Sequence, residues 1–205
     1  MQPSVSDRKR QAIAAAALAL FARDGYERTS VDAIAAEAGV SKRTVYSHYG
    51  DKENLFLLVV ADTYTLMRER FAEVIGRTMR DVTDVEKSLV NGIREAVTEV
   101  SHSPERAFML RLVIAELPRF PALLQLWRNR SIMPILAEVV TRLTAAGLLG
   151  ADDAERAADH LSALTFGQIN NRSMMGNIPL SDAEIDQIIT GGVRVFLCAY
   201  GPRRG

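Results

Sequence analysis

The stretch "VSKRTVYSHYGDKENLF", Val40 to Phe56, decides how this chain is read. It sets Ser, Lys, Arg and Thr, then Tyr, Ser, His and Tyr, on a segment with almost no core-forming side chains. A helix that short does not hold itself together by local propensity, so something must pack it from behind. Placed at 100° per residue from Lys42, Val45 and Tyr49 fall close together and form a narrow packing face. Arg43, Thr44, Ser47 and His48 point away from that face, and Lys42 and Tyr46 flank it.

The partner lies a few residues upstream. "TSVDAIAAEAGV" offers Ser30 as an N-cap and Val31, Ile34, Ala35 and Ala38 as an apolar stripe, with Gly39 ending the helix. The turn Gly39-Val40-Ser41 leads into a third helix, about Lys42 to Tyr49, with Ser41 as its cap. Two short helices joined by a Gly-containing turn form a helix-turn-helix, whose second helix enters the DNA major groove. Lys and Arg neutralise phosphate or bond guanine, Thr touches a thymine methyl, and Tyr bonds phosphate. The candidate DNA contacts are Ser30, Ser41, Lys42, Arg43, Thr44, Tyr46 and His48, with Lys52 at the start of the next helix, where an amine beside free N–H groups suits a phosphate. The competing reading of these side chains is an ordinary solvated face.

Outward from this motif nearly everything reads as helix, and no alternating β-rich segment bounded by tight turns is present. The first helix runs from about Asp7 to Arg23, with Ile13, Ala17, Leu20 and Phe21 on one face, and Asp24-Gly25 stops it. Gly50-Asp51 introduces a long fourth helix from Lys52 to about Gly76. Further helices are expected from about Asp84 to Ser101 and from Pro104 to Leu117. "PRFP", Pro118 to Pro121, is a break. A stretch from about Ala122 to Ala146 follows, which Pro134 either kinks or splits. Asp152 or Asp153 caps a helix to about Met175, and Ser181 caps the last, to about Tyr200, before a short tail of Gly201 to Gly205. The expected fold is all-α with about nine helices: residues 1–51 as a DNA-binding domain and 52–205 as a larger helical one.

Composition narrows the class. The chain has 205 residues, 48% apolar and 24% charged, with Lys plus Arg balancing Asp plus Glu. Zero net charge is compatible with a local basic patch. Arg8-Lys9-Arg10 before "AIAAAALALFA" imitates a signal peptide, but helical periodicity runs unbroken into Arg23-Asp24-Gly25. The same basic cluster could serve as an arm on the DNA backbone or be disordered. No stretch approaches membrane-spanning length, so a cytoplasmic location is expected. The lone Cys198 excludes an intramolecular disulfide and reads as a small buried residue. His102 and His160 lack companion ligands, so no metal is expected. Asp152-Asp153 reads as a cap rather than a catalytic pair. No phosphate loop or nucleophile elbow appears, so neither a cofactor nor an enzyme activity is expected.

With these residues in view, "GYERTSVDAIAAEAGVSKRTVYSHYGDKENLF" resembles the signature of the TetR family of bacterial transcription regulators. The resemblance rests on Gly25-Tyr26, Thr29-Ser30-Val31, Ile34-Ala35, Ala38-Gly39-Val40-Ser41, Thr44-Val45-Tyr46, His48-Tyr49, Lys52-Glu53 and Leu55-Phe56, and covers about a quarter of the chain. "LRLVIAELPRFP", Leu110 to Pro121, resembles a motif of one subgroup. Arg43 stands where many relatives have a small residue, and Asp32 places a carboxylate that favours the helix N-terminus but repels DNA. The resemblance implies a dimer that binds near-palindromic operator DNA, represses, and is released by a small-molecule effector. Met67, Phe71, Phe108, Leu112, Trp127 and Phe166 are the candidate lining of an apolar pocket, with Gln168, Asn170 and Asn171 as polar contacts. The last two helices, with Leu161, Leu164, Ile185, Ile188, Ile189 and Phe196 and small residues at Gly167 and Gly191-Gly192, are the expected homodimer surface. The alternatives are an all-helical binding or enzyme domain with a purely structural helix-turn-helix, or a regulator or activator that needs no ligand.

Overall fold

A computed structural model describes residues 4–101, 104–129 and 131–202, without the side chains of residues 101, 104–106, 127 and 129. His102 and the end of the C-terminal tail lie outside the described residues, as does the Trp127 side chain. Among the described residues there is no strand; the fold is all-α.

Helix α1 spans Val5–Arg28, beginning two residues before Asp7 because Ser4 and Asp7 form a reciprocal capping box. Gly25 interrupts it at φ 80°, ψ 169°, where the chain breaks the helix and resumes. That positive φ is what glycine supplies there. Arg8-Lys9-Arg10 lies exposed within this helix rather than in a disordered lead. Helices α2 (Val31–Glu37), α3 (Lys42–Tyr49) and α4 (Lys52–Thr78) follow. Next come α5 (Val85–Ala96), a π-helical turn at Val97–Ser101, α6 (Pro104–Glu116) and α7 (Ala122–Asn129). The expected long helix over 122–146 is split: α8 (Met133–Ala145) starts afresh with Pro134 in its first turn, where the missing N–H has no helical partner to lose. The expected helix up to Met175 comprises α9 (Ala154–Ser162), a π-helical turn at Ala163–Gly167 and α10 (Gln168–Arg172). It stops short because Met174 and Met175 take φ of 48° and 57°. Helix α11 (Asp182–Tyr200) opens on a second capping box, Ser181 with Glu184.

The chain forms two compact units. The first comprises Met1–Leu66 with Phe108–Asn129. Its core joins Ile13, Leu20 and Phe21 of α1, Ile34 of α2, Val45 and Tyr49 of α3, and Leu55, Phe56, Val59 and Val60 of α4 with Met109, Leu112, Val113, Phe120 and Leu123. Apolar burial therefore carries this unit past Asp51, into α4 and the 108–129 stretch. At its centre the Tyr26 ring meets Phe56 at 5.0 Å and Phe120 at 4.8 Å. Each such aromatic contributes about 1.5–3 kcal/mol by burial.

The second unit comprises Met67–Ala107 and Arg130–Gly205. Its core collects Phe71, Val74 and Ile75 of α4, Leu89 and Ile93 of α5, Leu136, Val140 and Leu143 of α8, Leu161 of α9, Phe166, and Ile188, Ile189, Val193 and Phe196 of α11. Gly192 lets α11 approach so closely that a Cβ there would collide with the Leu164 carbonyl. Two exposed ion pairs tie α5 and its start to α11: Arg94 pairs with Asp186, and Arg194 Nε donates to Glu86 at 2.9 Å.

Candidate nucleic-acid interface

The recognition surface is built from caps and one narrow seam. Ser30 Oγ accepts the Ala33 N–H at 3.1 Å and starts α2; Ser41 Oγ accepts the Thr44 N–H at 3.1 Å and starts α3. Each cap satisfies a backbone donor the helix leaves orphaned. Val45 and Tyr49 are 1% and 2% exposed, which seats α3 on the core by the face its sequence offers. The Tyr49 hydroxyl donates to the Arg10 carbonyl at 3.0 Å, tying the end of α3 to α1. Burial pushes the Tyr49 hydroxyl above its ordinary pKa. Gly50 closes α3 at φ 78°, and Asp51 Oδ1 accepts the Asn54 N–H at 2.7 Å to open α4.

The other side of α3 faces solvent. Lys42, Arg43, Tyr46 and Ser47 are exposed, while Thr44 and His48 are partly covered. The Thr44 hydroxyl is held 2.8 Å from Ser41 Oγ. Ser30 is exposed at the start of α2. Seven of the eight candidate contacts thus sit on α3 or at the starts of α2 and α3. The eighth, Lys52, is partly buried, 4.3 Å above the Tyr26 ring centroid, and donates to the Glu27 carbonyl at 3.3 Å. Loss of hydration lowers its pKa, opposed by the Glu116 carboxylate.

Two features escaped the sequence reading. Lys42 Nζ donates to Asp32 Oδ2 at 2.8 Å, so the carboxylate that would repel DNA is matched by a neighbouring amine. That hydrogen bond raises the Lys42 pKa. The second is Arg119, in the "PRFP" turn, which pairs with Glu27 and lies 4.9 Å from the Tyr26 centroid. The turn's match to a subgroup motif was the signal available for it.

The apolar pocket candidates fall into the two cores. Phe71 and Phe166 meet edge to face at 5.8 Å in the second unit, with Met67 packed against that core. Leu112 is buried in the first unit's core, with Phe108 packed against it. Gln168 and Asn171 are exposed and Asn170 partly so. On the expected dimer surface, Leu161, Ile185, Ile188, Ile189 and Phe196 are instead buried in the second unit's own core. The side chains these helices present outward include Val195, 56% exposed, and Cys198, which is exposed rather than buried as its residue type suggested. Gly167 and Gly191 are also exposed. Asp153, not Asp152, caps α9, accepting the Arg156 N–H at 2.9 Å. His160 Nδ1 lies 2.6 Å from the Tyr200 hydroxyl. Among the described residues no group of three or more His, Cys, Asp or Glu is placed to hold a metal ion, and no helix is long and apolar enough to cross a membrane.

Comparison with known proteins agrees with this geometry. Residues 13–59 match a model of the family described as bacterial regulatory proteins, tetR family, and residues 89–202 match one described as the AefR-like transcriptional repressor, C-terminal domain. A crystal structure of a protein assigned as a TetR-family transcriptional regulator from Mesorhizobium loti MAFF303099 superposes with a TM-score of 0.90 at 32% identity, covering 97% of this chain and 100% of that one. The flavonoid-responsive regulator FrrA gives a TM-score of 0.67 at 28% identity, covering 97% and 100%. The repressor AcnR of Corynebacterium glutamicum is 32% identical over 97 residues, 47% of this chain and 43% of AcnR. This chain thus spans less than half the length of that curated relative. One family match covers the helix-turn-helix and the first turns of α4, and the other covers more than half of the chain: the protein belongs to the TetR family.

Proposed function

We propose that this protein is a homodimeric transcriptional repressor that binds a near-palindromic operator through α3 and leaves it when a small apolar effector binds. The observation that carries the reading is the division of α3 into two faces. Val45 and Tyr49 are sealed against the core, while Lys42, Arg43, Tyr46 and Ser47 have no core of their own to serve. A polar face displayed by a helix this short is completed by another molecule, and the major groove admits a helix of this kind. Ser30, Ser41, Thr44, His48 and Lys52 complete the contact set. The relatives named as repressors support the direction of control.

The effector site is proposed around Met67, Phe71 and Phe166, where a flexible thioether and two rings can part for an aromatic guest. A relative named for its response to flavonoids supports that ligand class. The dimer is proposed through α9, α10 and α11, by the outward face that carries Gly167, Gly191, Val195 and Cys198.

Mapping of bound genomic fragments tests the reading. Fragments should share two half-sites related by two-fold symmetry and spaced by about 34 Å or a multiple of it. Recovery of no DNA, or of sites without that symmetry, overturns it. Flavonoid-like aromatics should then release the fragment in a gel shift, and by reciprocity the operator must weaken the binding of those compounds by the same factor.

A further inference from the structure

The cluster around Tyr26 contains more charge than a core needs. Two cations address the same ring: Lys52 Nζ at 4.3 Å from its centroid and the Arg119 guanidinium at 4.9 Å. Both also address Glu27, but by different atoms. Lys52 donates to the Glu27 backbone carbonyl at 3.3 Å, and Arg119 pairs with the Glu27 carboxylate. Glu27 lies three residues before Ser30, the cap of α2, and Lys52 opens α4. Both starts belong to the proposed DNA-facing side.

Holding the fold together is not what the Arg119–Glu27 pair is placed to do. Phe120 is 4% exposed and Phe56 fully buried, so the rings already fix the turn against α1 and α4. The pair itself stands in solvent, with Arg119 49% and Glu27 67% exposed, where an ion pair contributes little to stability. What it does is local. Lys52 Nζ already contacts the carbonyl of Glu27, and the Glu116 carboxylate also acts on that ammonium. Left unpaired, the Glu27 carboxylate would add a second internal anion beside Lys52 in competition with phosphate and would repel the DNA backbone.

We infer that Arg119 is a positioning residue for DNA binding: by occupying the Glu27 carboxylate and lying against Tyr26, it keeps the Lys52 ammonium available to a backbone phosphate. This rests on the DNA-binding reading above and adds a part to it from the "PRFP" turn.

The test is operator affinity at fixed salt, with its salt dependence, for full-length variants. Arg119→Met keeps the aliphatic stem over the ring and removes the charge. It should weaken binding about three- to tenfold and lower the salt slope by about one, the loss expected when one phosphate contact is removed. Glu27→Gln added to Arg119→Met should restore both values, because the competing carboxylate is gone. Arg119→Lys should bind as wild type, and melting temperatures should stay together across the set. Weakening that Glu27→Gln does not restore would mean that Arg119 touches phosphate itself or holds the fold, and overturns the inference. Unchanged affinity and slope in Arg119→Met overturn it equally. Failure of the wild type to bind any DNA would instead overturn the functional reading, so the two failures are distinguishable.

Discussion

Val45 and Tyr46 are neighbours in sequence with opposite roles, and alanine at each position separates fold from function. Val45 is 1% exposed and forms half of the seam that seats α3. Val45→Ala removes two buried carbons at about 0.8 kcal/mol each, and the cavity left behind adds to that, giving about 2–3 kcal/mol of destabilisation. Against a total stability of about 5–15 kcal/mol that loss is large. Tyr46 is 42% exposed. Tyr46→Ala should change stability by no more than about 0.5 kcal/mol, because alanine is the better helix former and little packing is lost. On DNA, a hydrogen bond from the Tyr46 hydroxyl to a charged phosphate is worth about 1.5 kcal/mol, so affinity should fall roughly tenfold. Urea unfolding followed by circular dichroism gives the first quantity, and anisotropy of a labelled operator fragment at fixed salt gives the second. A Tyr46→Ala protein that melts early, or binds as wild type, would refute the division of α3 into a seam and a reading face.

Three further outcomes are expected. Asp32→Asn should free Lys42 from its 2.8 Å partner and remove a carboxylate from the DNA-facing side, so binding should tighten and its salt dependence steepen; weaker binding would show that the pair orders Lys42 for its contact. Gly192→Ala should destabilise the second unit, since about 1–3 kcal/mol of overpacking against the Leu164 carbonyl exceeds the roughly 1 kcal/mol that alanine adds to a helix, whereas Gly191→Ala, with nothing within 4 Å of the new carbon, should not; equal unfolding midpoints would contradict the close approach of α11. Val195→Arg should weaken self-association, by sedimentation at micromolar concentration, if the outward face of α11 is the dimer surface; a dimer as tight as wild type removes α11 from the proposal.

The reading head was legible because its local rules agree with one another. Ser30 and Ser41 cap the helices they were expected to cap, Gly50 closes α3, and the two-residue seam Val45 and Tyr49 is all that seats it. In a helix of eight residues few faces are available, so periodicity alone selects the buried one. The later helices obey the same rules but carry apolar residues on more than one side. Leu161, Ile185, Ile188, Ile189 and Phe196 look alike whether they meet another helix of the same chain or of a second copy. Only the packing reveals that they fill this chain's own core and leave Val195 and Cys198 outward. The split at Pro134 was open for a related reason: proline forbids a hydrogen bond at one position but permits both a kink and a new helix start.

The contacts that sequence missed share a different cause. Asp32 and Lys42 are ten residues apart, and Arg119 lies far along the chain from Glu27, so no helical period relates either pair. Long-range charge pairing depends on which surfaces the apolar cores bring together, and it is the burial of Phe120 beside Tyr26 and Phe56 that delivers Arg119 to Glu27. The same burial explains why α4 serves two cores. Leu55, Phe56, Val59 and Val60 pack in the first unit, while Phe71, Val74 and Ile75 pack in the second. One continuous helix therefore carries Lys52 near one end and Phe71 near the other. In the repressor reading proposed above, the free energy with which a ligand at Phe71 can move Lys52 is at most the difference in its affinity for two arrangements of α4.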